Sequence, residues 1–182
     1  MLELALHVLD IAENSSRAQA SLIEITIVEN LEKDIFSLEI KDNGHGMDEQ
    51  TMEKALDPFY TTKKVRRIGL GLPMLRQATI GAEGSFSLRS EVGKGTVVHA
   101  EFRLSHIDRQ PLGDIAGVII MLILGNPDID IVYTHRNNHG TYVLDTRELR
   151  EGLGDVPLNN MEVLNLIRDN INEGINELNA AL

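Results

Sequence analysis

Residues 35–47, IFSLEIKDNGHGM, carry the decisive change of pattern in this chain. The first seven are apolar or alternating and rich in strand formers, and Asp42-Asn43-Gly44-His45-Gly46 then has the composition of a loop. A partner strand lies just upstream, since LIEITIV at 22–28 is β-branched and apolar and the polar segment between the two reads as a turn. Further upstream, Glu3, His7, Asp10, Asn14 and Arg17 recur every three or four positions over residues 2–19, one polar stripe on an otherwise apolar helix. Downstream, Asp48 is placed to cap a short helix through Leu56, which Pro58 ends. Residues 58–69 read as a loop. Pro73 then sits in the first turn of a helix running to about Ile80, with Gly81 closing it. Residues 84–90 and 95–104 form a second hairpin around Gly93-Lys94-Gly95, with Val98, Ala100, Phe102 and Leu104 on one face and His99, Glu101 and Arg103 on the other. Helices interleaved with antiparallel hairpins predict an α/β two-layer sandwich, helices on one face of a mixed sheet.

The polar stretch Ser105-His106-Ile107-Asp108-Arg109-Gln110-Pro111 reads as a boundary. It divides the chain into residues 1–104 and a smaller α/β unit, 105–182. That unit holds a helix at about 112–124, a hairpin from Ile129–His135 and Thr141–Asp145, and a terminal helix from 161. Ile115 to Leu124 is an apolar run of ten residues, half of the roughly 20 a bilayer-spanning helix needs, and reads as a buried core segment. In the terminal helix Leu164, Ile167, Ile171, Ile175, Leu178 and Leu182 form a stripe, with Asn159 and Glu162 as a capping pair. The stripe reads first as packing on its own domain and second as a partner or homodimer helix, with Gly174 allowing close approach. His135 and His139 flank the hairpin turn and read as turn chemistry rather than as a metal pair.

Composition narrows the function. With 42% hydrophobic and 25% charged residues among 182, the chain is a folded globular protein. The absence of cysteine removes disulfides, zinc fingers, iron–sulfur ligation and thiol chemistry together. A net charge of −11 repels phosphate backbones and anionic lipid, so neither nucleic acid nor a membrane is an expected partner. Residues 1–104 hold 12 basic and 16 acidic side chains and residues 105–182 hold 5 and 12, so most of the acidic excess lies in the second unit. Met1-Leu2-Glu3-Leu4 places an acid where an export signal needs Lys or Arg, and a cytoplasmic protein is expected.

Three groups of residues carry chemistry. Asp42 at a strand end, followed by Gly44 and Gly46, is a carboxylate held beside backbone that a flat ligand can approach, and an acceptor for an exocyclic amine; a plain turn explains the same pentapeptide. Asp10 and Asn14, one helical turn apart, offer oxygens suited to a hydrated Mg²⁺; a solvated helix face explains the same stripe. Lys63, Lys64, Arg66 and Arg67 precede Gly69-Leu70-Gly71 at a helix start, an arrangement that suits phosphate; a charged surface loop is the alternative. The spacing matches neither the Rossmann glycine motif nor the Walker loop.

Taken in order, LDIAENSS, DNGHGM, DPFYTTK, GLGLPM and GKGTVVHAEF resemble the boxes of the GHKL ATPase superfamily, the gyrase, heat-shock chaperone, histidine kinase and mismatch-repair ATPases with the Bergerat nucleotide fold. The third and fourth look most like histidine kinase catalytic domains. The resemblance covers about residues 3–104 and implies ATP and Mg²⁺ as cofactors. It implies that Asn14 coordinates the metal, that Asp42 accepts the adenine amino group, that Gly44 and Gly46, with Met47 closing the box, let the base approach, and that Thr96 supports it through a water. Phe59, Thr61, Thr62 and Lys63 would edge the lid, with Gly69, Leu70, Gly71 and Leu72 at the phosphates. Where hydrolytic members carry Glu four residues before the Asn, this chain has Asp10, shorter by one methylene. The chain starts at the first box, so a complete sensor kinase is not expected. The reading is a Mg-ATP-binding regulatory protein, a kinase or partner switch acting on another protein through the C-terminal unit. The alternatives are a slow ATPase with Asp10 as catalytic base and a non-catalytic interaction module.

Overall fold

The computed structural model describes residues 3–57 and 71–180. Among these the elements are α1 (Leu4–Arg17), β1 (Leu22–Asn30), β2 (Ile35–Asp42), α2 (Glu49–Ala55), α3 (Gly71–Gly81), β3 (Ser85–Glu91), β4 (Gly95–Arg103), α4 (Ile115–Gly125), β5 (Asp130–Arg136), β6 (Thr141–Asp145), α5 (Thr146–Leu153) and α6 (Met161–Ala180). The strands form one mixed sheet in the order β3-β4-β2-β1-β5-β6. Every neighbouring pair is antiparallel except β1 and β5, which run parallel with Leu22 opposite Asp130.

Alternation along the strands sends one set of side chains to a single face. Ile23, Ile25 and Ile27 of β1 and Phe36, Leu38 and Ile40 of β2 are all buried. Register extends the row across the sheet: Leu88, Val98, Ile40, Ile25, Tyr133 and Leu144 are successive cross-strand partners. Phe36 and Phe102 meet edge to face with centroids 6.0 Å apart. Each such fully buried side chain contributes about 1.5–3 kcal/mol of transfer free energy. Helices cover this face: α3 lies on β3 and β4, α1 on β1 and β2, and α6 on β6, while α4 packs between α1 and α6. No helix among the described residues is long and apolar enough to cross a membrane.

Residues 105–180 join this architecture edge to edge. Through β5 and β6 they extend the same sheet, and one apolar cluster runs from Leu4 through Ile25 to Ile119, Tyr133 and Ile171. The polar stretch 105–111, read as a boundary, therefore links two parts of one sheet. It also serves α1, whose Leu4 and Ala5 N–H groups donate to the carbonyls of Pro111 and Leu112 at 2.9 and 2.8 Å.

Several local expectations change. Gly81 ends α3 but does not take the left-handed conformation, which falls to Glu83 at φ 53°. The cap of α6 is Asn160, whose Oδ1 accepts from the Glu162 N–H at 2.9 Å, in place of Asn159. Gly174 admits no partner helix, because the Tyr142 ring of the same chain already fills the space beside it. His135 points into the core, where it shares hydrogen bonds of 2.8 Å with the Tyr133 hydroxyl and the Glu29 carboxylate. That contact holds Glu29 below the usual carboxylate range, and burial pushes the Tyr133 phenol up. The run Ile115–Leu124 is only partly core: Met121 and Leu124 are 47% and 52% exposed. Helix α5 was not read from the sequence. Asp145 caps it, accepting from the Arg147 N–H at 2.9 Å. Leu182 lies outside the described residues.

Ile25 sits at the centre of the row, with strands paired on both sides. Ile25→Ala is expected to lower unfolding stability by about 2–5 kcal/mol in urea titrations followed by circular dichroism. Because β5 docks on β1, the loss should appear in a single transition that includes Tyr133 and Tyr142.

Candidate functional site

Asp42 ends β2 and is 8% exposed. Both its oxygens are held: the Ser15 hydroxyl donates to Oδ2 at 2.6 Å and the Gly44 N–H to Oδ1 at 2.9 Å. Ser15 comes from the buried side of α1, so the carboxylate is clamped between the helix and its own loop. Charge-assisted bonds of this kind fix orientation and offset part of the cost of burying an anion. Asn43 anchors the other side of the loop, its Oδ1 accepting from the N–H groups of Ser21 and Leu22 at 2.9 Å each.

Thr96, at the start of β4, is the direct cross-strand partner of Asp42. Ser90 organises the rest of this corner: its hydroxyl accepts from the Met47 N–H at 2.8 Å, donates to the Gly95 carbonyl at 2.9 Å and lies 2.9 Å from the Thr96 hydroxyl. Two glycines make the close packing work. Gly46 has φ 66°, and a Cβ there would fall 2.0 Å from the Glu91 carbonyl oxygen. Gly95 has φ 98°, and its Cβ would fall 1.9 Å from the Asp42 carbonyl oxygen. The loop after β2 and the β3–β4 turn therefore meet backbone to backbone, with Asp42 and Thr96 paired across the ladder at that edge.

The polar stripe of α1 faces α3. Asp10 reaches the first residue of that helix, since a Cβ on Gly71 would lie 1.8 Å from Asp10 Oδ2. One turn later Asn14 Oδ1 accepts from Arg17 Nη1 at 2.8 Å, while Arg17 Nη2 bonds to Glu13 at 2.9 Å. One turn earlier His7 is fully buried and shares a 3.0 Å hydrogen bond between Nε2 and Gln110 Oε1. Its Nδ1 has no hydrogen-bond partner among the described residues. Burial pushes the His7 pKa down, so the ring is neutral at pH 7.

The structure thus brings together Asp10, Asn14 and Gly71 on one side and Asp42, Gly44, Gly46, Met47 and Thr96 on the other, with α1 between them through Asn14 and Ser15. Leu72 packs against the core. Phe59, Thr61, Thr62, Lys63, Lys64, Arg66, Arg67, Gly69 and Leu70 lie outside the described residues. Ser15, Ser90, Arg17 and His7 were not singled out from the sequence. Ser15 had a signal, a hydroxyl four residues after Ile11 on the apolar side of α1, where a buried polar group needs a partner.

Residues 2–106 match the family described as histidine kinase-, DNA gyrase B-, and HSP90-like ATPase. The chain is similar to sporulation kinase E of Bacillus subtilis (strain 168), 39% identical over 72 residues, which are 40% of this chain and 10% of that protein. Sporulation kinase C of the same strain is 37% identical over 60 residues, covering 33% of this chain and 14% of its own length. The chain thus spans a small fraction of these curated relatives. Among solved structures, the N-terminal domain of a DNA repair protein superposes with a TM-score of 0.60 at 20% identity, covering 80% of this chain and 53% of that one, a likeness of fold.

Ser15→Ala removes the donor to Asp42 Oδ2 and is expected to cost about 1–3 kcal/mol of stability, read by urea unfolding. His7 gives a pH dependence of known sign. Its folded pKa lies below its ordinary value of 6.5, so below that pH the unfolded chain takes up a proton first. Its contribution is complete above 6.5 and is lost as pH falls toward the folded value. Between pH 7.5 and 5.5 the wild type should lose stability more steeply than His7→Gln.

Proposed function

Because the chain belongs to the histidine kinase-, DNA gyrase B-, and HSP90-like ATPase family, we propose that it binds Mg²⁺-ATP with Asp42 as the anchor of the adenine ring and uses the bound nucleotide to regulate a protein partner. The observation that carries the reading is the clamped carboxylate: Asp42 is buried, held by Ser15 and Gly44, and opposite Thr96. Such an acceptor suits an exocyclic amino group and disfavours a ring that presents an acceptor instead, because two acceptors would then face each other with no hydrogen between them.

The donor set on α1 fits magnesium. Asn14 Oδ1 is a neutral oxygen, one turn from the Asp10 carboxylate, which suits a hard cation that retains several waters. Asn14 would hold the ion once Arg17, half exposed, releases its 2.8 Å contact. The ion would supply neutralisation of phosphate charge. The α3 N-terminus would add backbone N–H groups, and Thr62, Lys63, Gly69 and Leu70 the lid and phosphate contacts implied by the family boxes. Catalysis of phosphoryl transfer would consist mainly of positioning and charge stabilisation.

The kinase role on another protein draws support from the sporulation kinases, and residues 105–180 are the candidate readout because they share the sheet with the site. A slow ATPase is a second reading, favoured by one contact: Asp10 Oδ2 reaches Gly71, at the glycine box. Phosphate release that disappears in Asp10→Asn while nucleotide binding survives would support it.

Calorimetric titration with ATP and ADP, with and without Mg²⁺, tests the main reading. Asp42→Asn should weaken nucleotide binding by 10-fold or more, consistent with about 1.5–3 kcal/mol for a hydrogen bond to a charged group. Equal affinity in the variant would refute the adenine assignment.

A further inference from the structure

Ser90, Thr96 and Asp42 are successive cross-strand partners over β3, β4 and β2, so their side chains stand in one row on the helix-covered face. Thr96 is the middle member, half-buried like Ser90. Ser90 makes three contacts through one oxygen: with the Met47 N–H at 2.8 Å, the Gly95 carbonyl at 2.9 Å and the Thr96 hydroxyl at 2.9 Å. A hydroxyl has a single hydrogen and two lone pairs. The Gly95 carbonyl can only accept, so it takes the hydrogen; the Met47 N–H can only donate, so it fills one lone pair. The contact with Thr96 is then a hydrogen bond only when Thr96 donates.

Two backbone groups therefore set the direction of both hydroxyls, and the fold holds those groups in place. The Gly93 N–H donates to the His45 carbonyl at 2.8 Å, which fastens the β3–β4 turn to the loop after β2. Gly46 and Gly95, at φ 66° and 98°, sit where a Cβ would strike the backbone opposite. With its hydrogen committed to Ser90, Thr96 offers the site only lone pairs, beside a carboxylate that accepts as well. Whatever lies against this edge, an amino group or a water, must donate to it.

We propose that Ser90 is a specificity-determining residue of the Asp42 site, holding the Thr96 hydroxyl in its accepting direction so that the edge takes a ring with an amino group and turns away a ring with a carbonyl oxygen at that place. The inference rests on the reading of Asp42 as the anchor of the ring. An amino group brings two hydrogens to two neighbouring acceptors; a carbonyl brings none, and acceptors that face each other without a hydrogen repel. Without the Ser90 oxygen, Thr96 can turn its hydrogen into the site and give it to such a carbonyl. Its own oxygen still accepts from an amino group, so the ring that carries one is little affected.

Calorimetric competition between ATP and inosine triphosphate, which carries a carbonyl oxygen in place of the amino group, tests this on the full chain. The wild type should prefer ATP by about 10-fold or more. Ser90→Ala should tighten inosine triphosphate by about threefold or more while ATP stays within about twofold, a gain of binding that loss of a structural brace would not produce. Ser90→Thr keeps the hydroxyl and should keep the wild-type ratio. In a Thr96→Val background Ser90→Ala should leave the ratio unchanged, because the effect passes through the Thr96 hydroxyl. Should Ser90→Ala lose its folded circular dichroism spectrum, Ser90→Cys, whose thiol is a weak donor and acceptor, should narrow the ratio in the same direction. Equal weakening of both nucleotides by the Ser90 variants, or a shift of the ratio that persists in Thr96→Val, would overturn the inference. If Asp42→Asn weakens ATP while Ser90→Ala moves nothing, only the assignment of Ser90 fails. If Asp42→Asn binds ATP as the wild type does, the ring is not at Asp42 and both readings fall.

Discussion

Strand β1 is the constraint on which the rest of the molecule depends. It is paired along nearly its whole length on both sides, antiparallel to β2 and parallel to β5, so its side chains have only two directions to take. Ile23, Ile25 and Ile27 take the covered one, and the helices assemble over them. The parallel pairing is the consequential half. A parallel neighbour requires a crossover; here the crossover is α4, which enters the helix layer between α1 and α6. The acidic C-terminal region is thereby part of the same core as the nucleotide-type site.

That layout explains how an anion comes to be buried. Asp42 emerges where β2 ends beneath α1, and the helix presents Ser15 to it from its apolar side. The opposite side of the same helix carries His7, Asp10 and Asn14 toward α3. One helix therefore registers both groups of polar residues, and a shift of α1 against the sheet would move them together. Hydrogen bonds from Leu4, Ala5 and His7 to residues 110–112 tie the start of that helix to the segment that leads into α4.

The fold was largely legible because its signals are local. The alternation of IFSLEIK, the Asp48 cap and Pro73 at a helix start each act within a few residues, and α1, β1, β2, α2, α3, β3 and β4 fall where those signals place them. What was illegible depends on partners distant in sequence. Burial of Ile115–Leu124 depends on which neighbours flank α4, and the exposure of Met121 follows from its lying on the side that neither α1 nor α6 covers. Gly174 is occupied by Tyr142, a contact of 32 positions that no periodicity announces. Helix α5 escaped notice because TRELREGL is short and mostly polar, and its Asp145 cap is also the last residue of a strand.

The sequence by itself determined the strand and helix periods and the succession of boxes in which Asp10, Asn14, Asp42, Gly46 and Thr96 stand, because residue type and spacing are properties of the chain alone. The tertiary structure decided that Asp42 and Thr96 face each other across a ladder, that Ser15 clamps the carboxylate and Ser90 ties the neighbouring turn, and that β5 joins β1 so the two regions share one core. The physical reason is range: propensity, capping and periodicity act over a turn or two, whereas register, burial and hydrogen-bond partnership are fixed only when distant segments compete for the same surface.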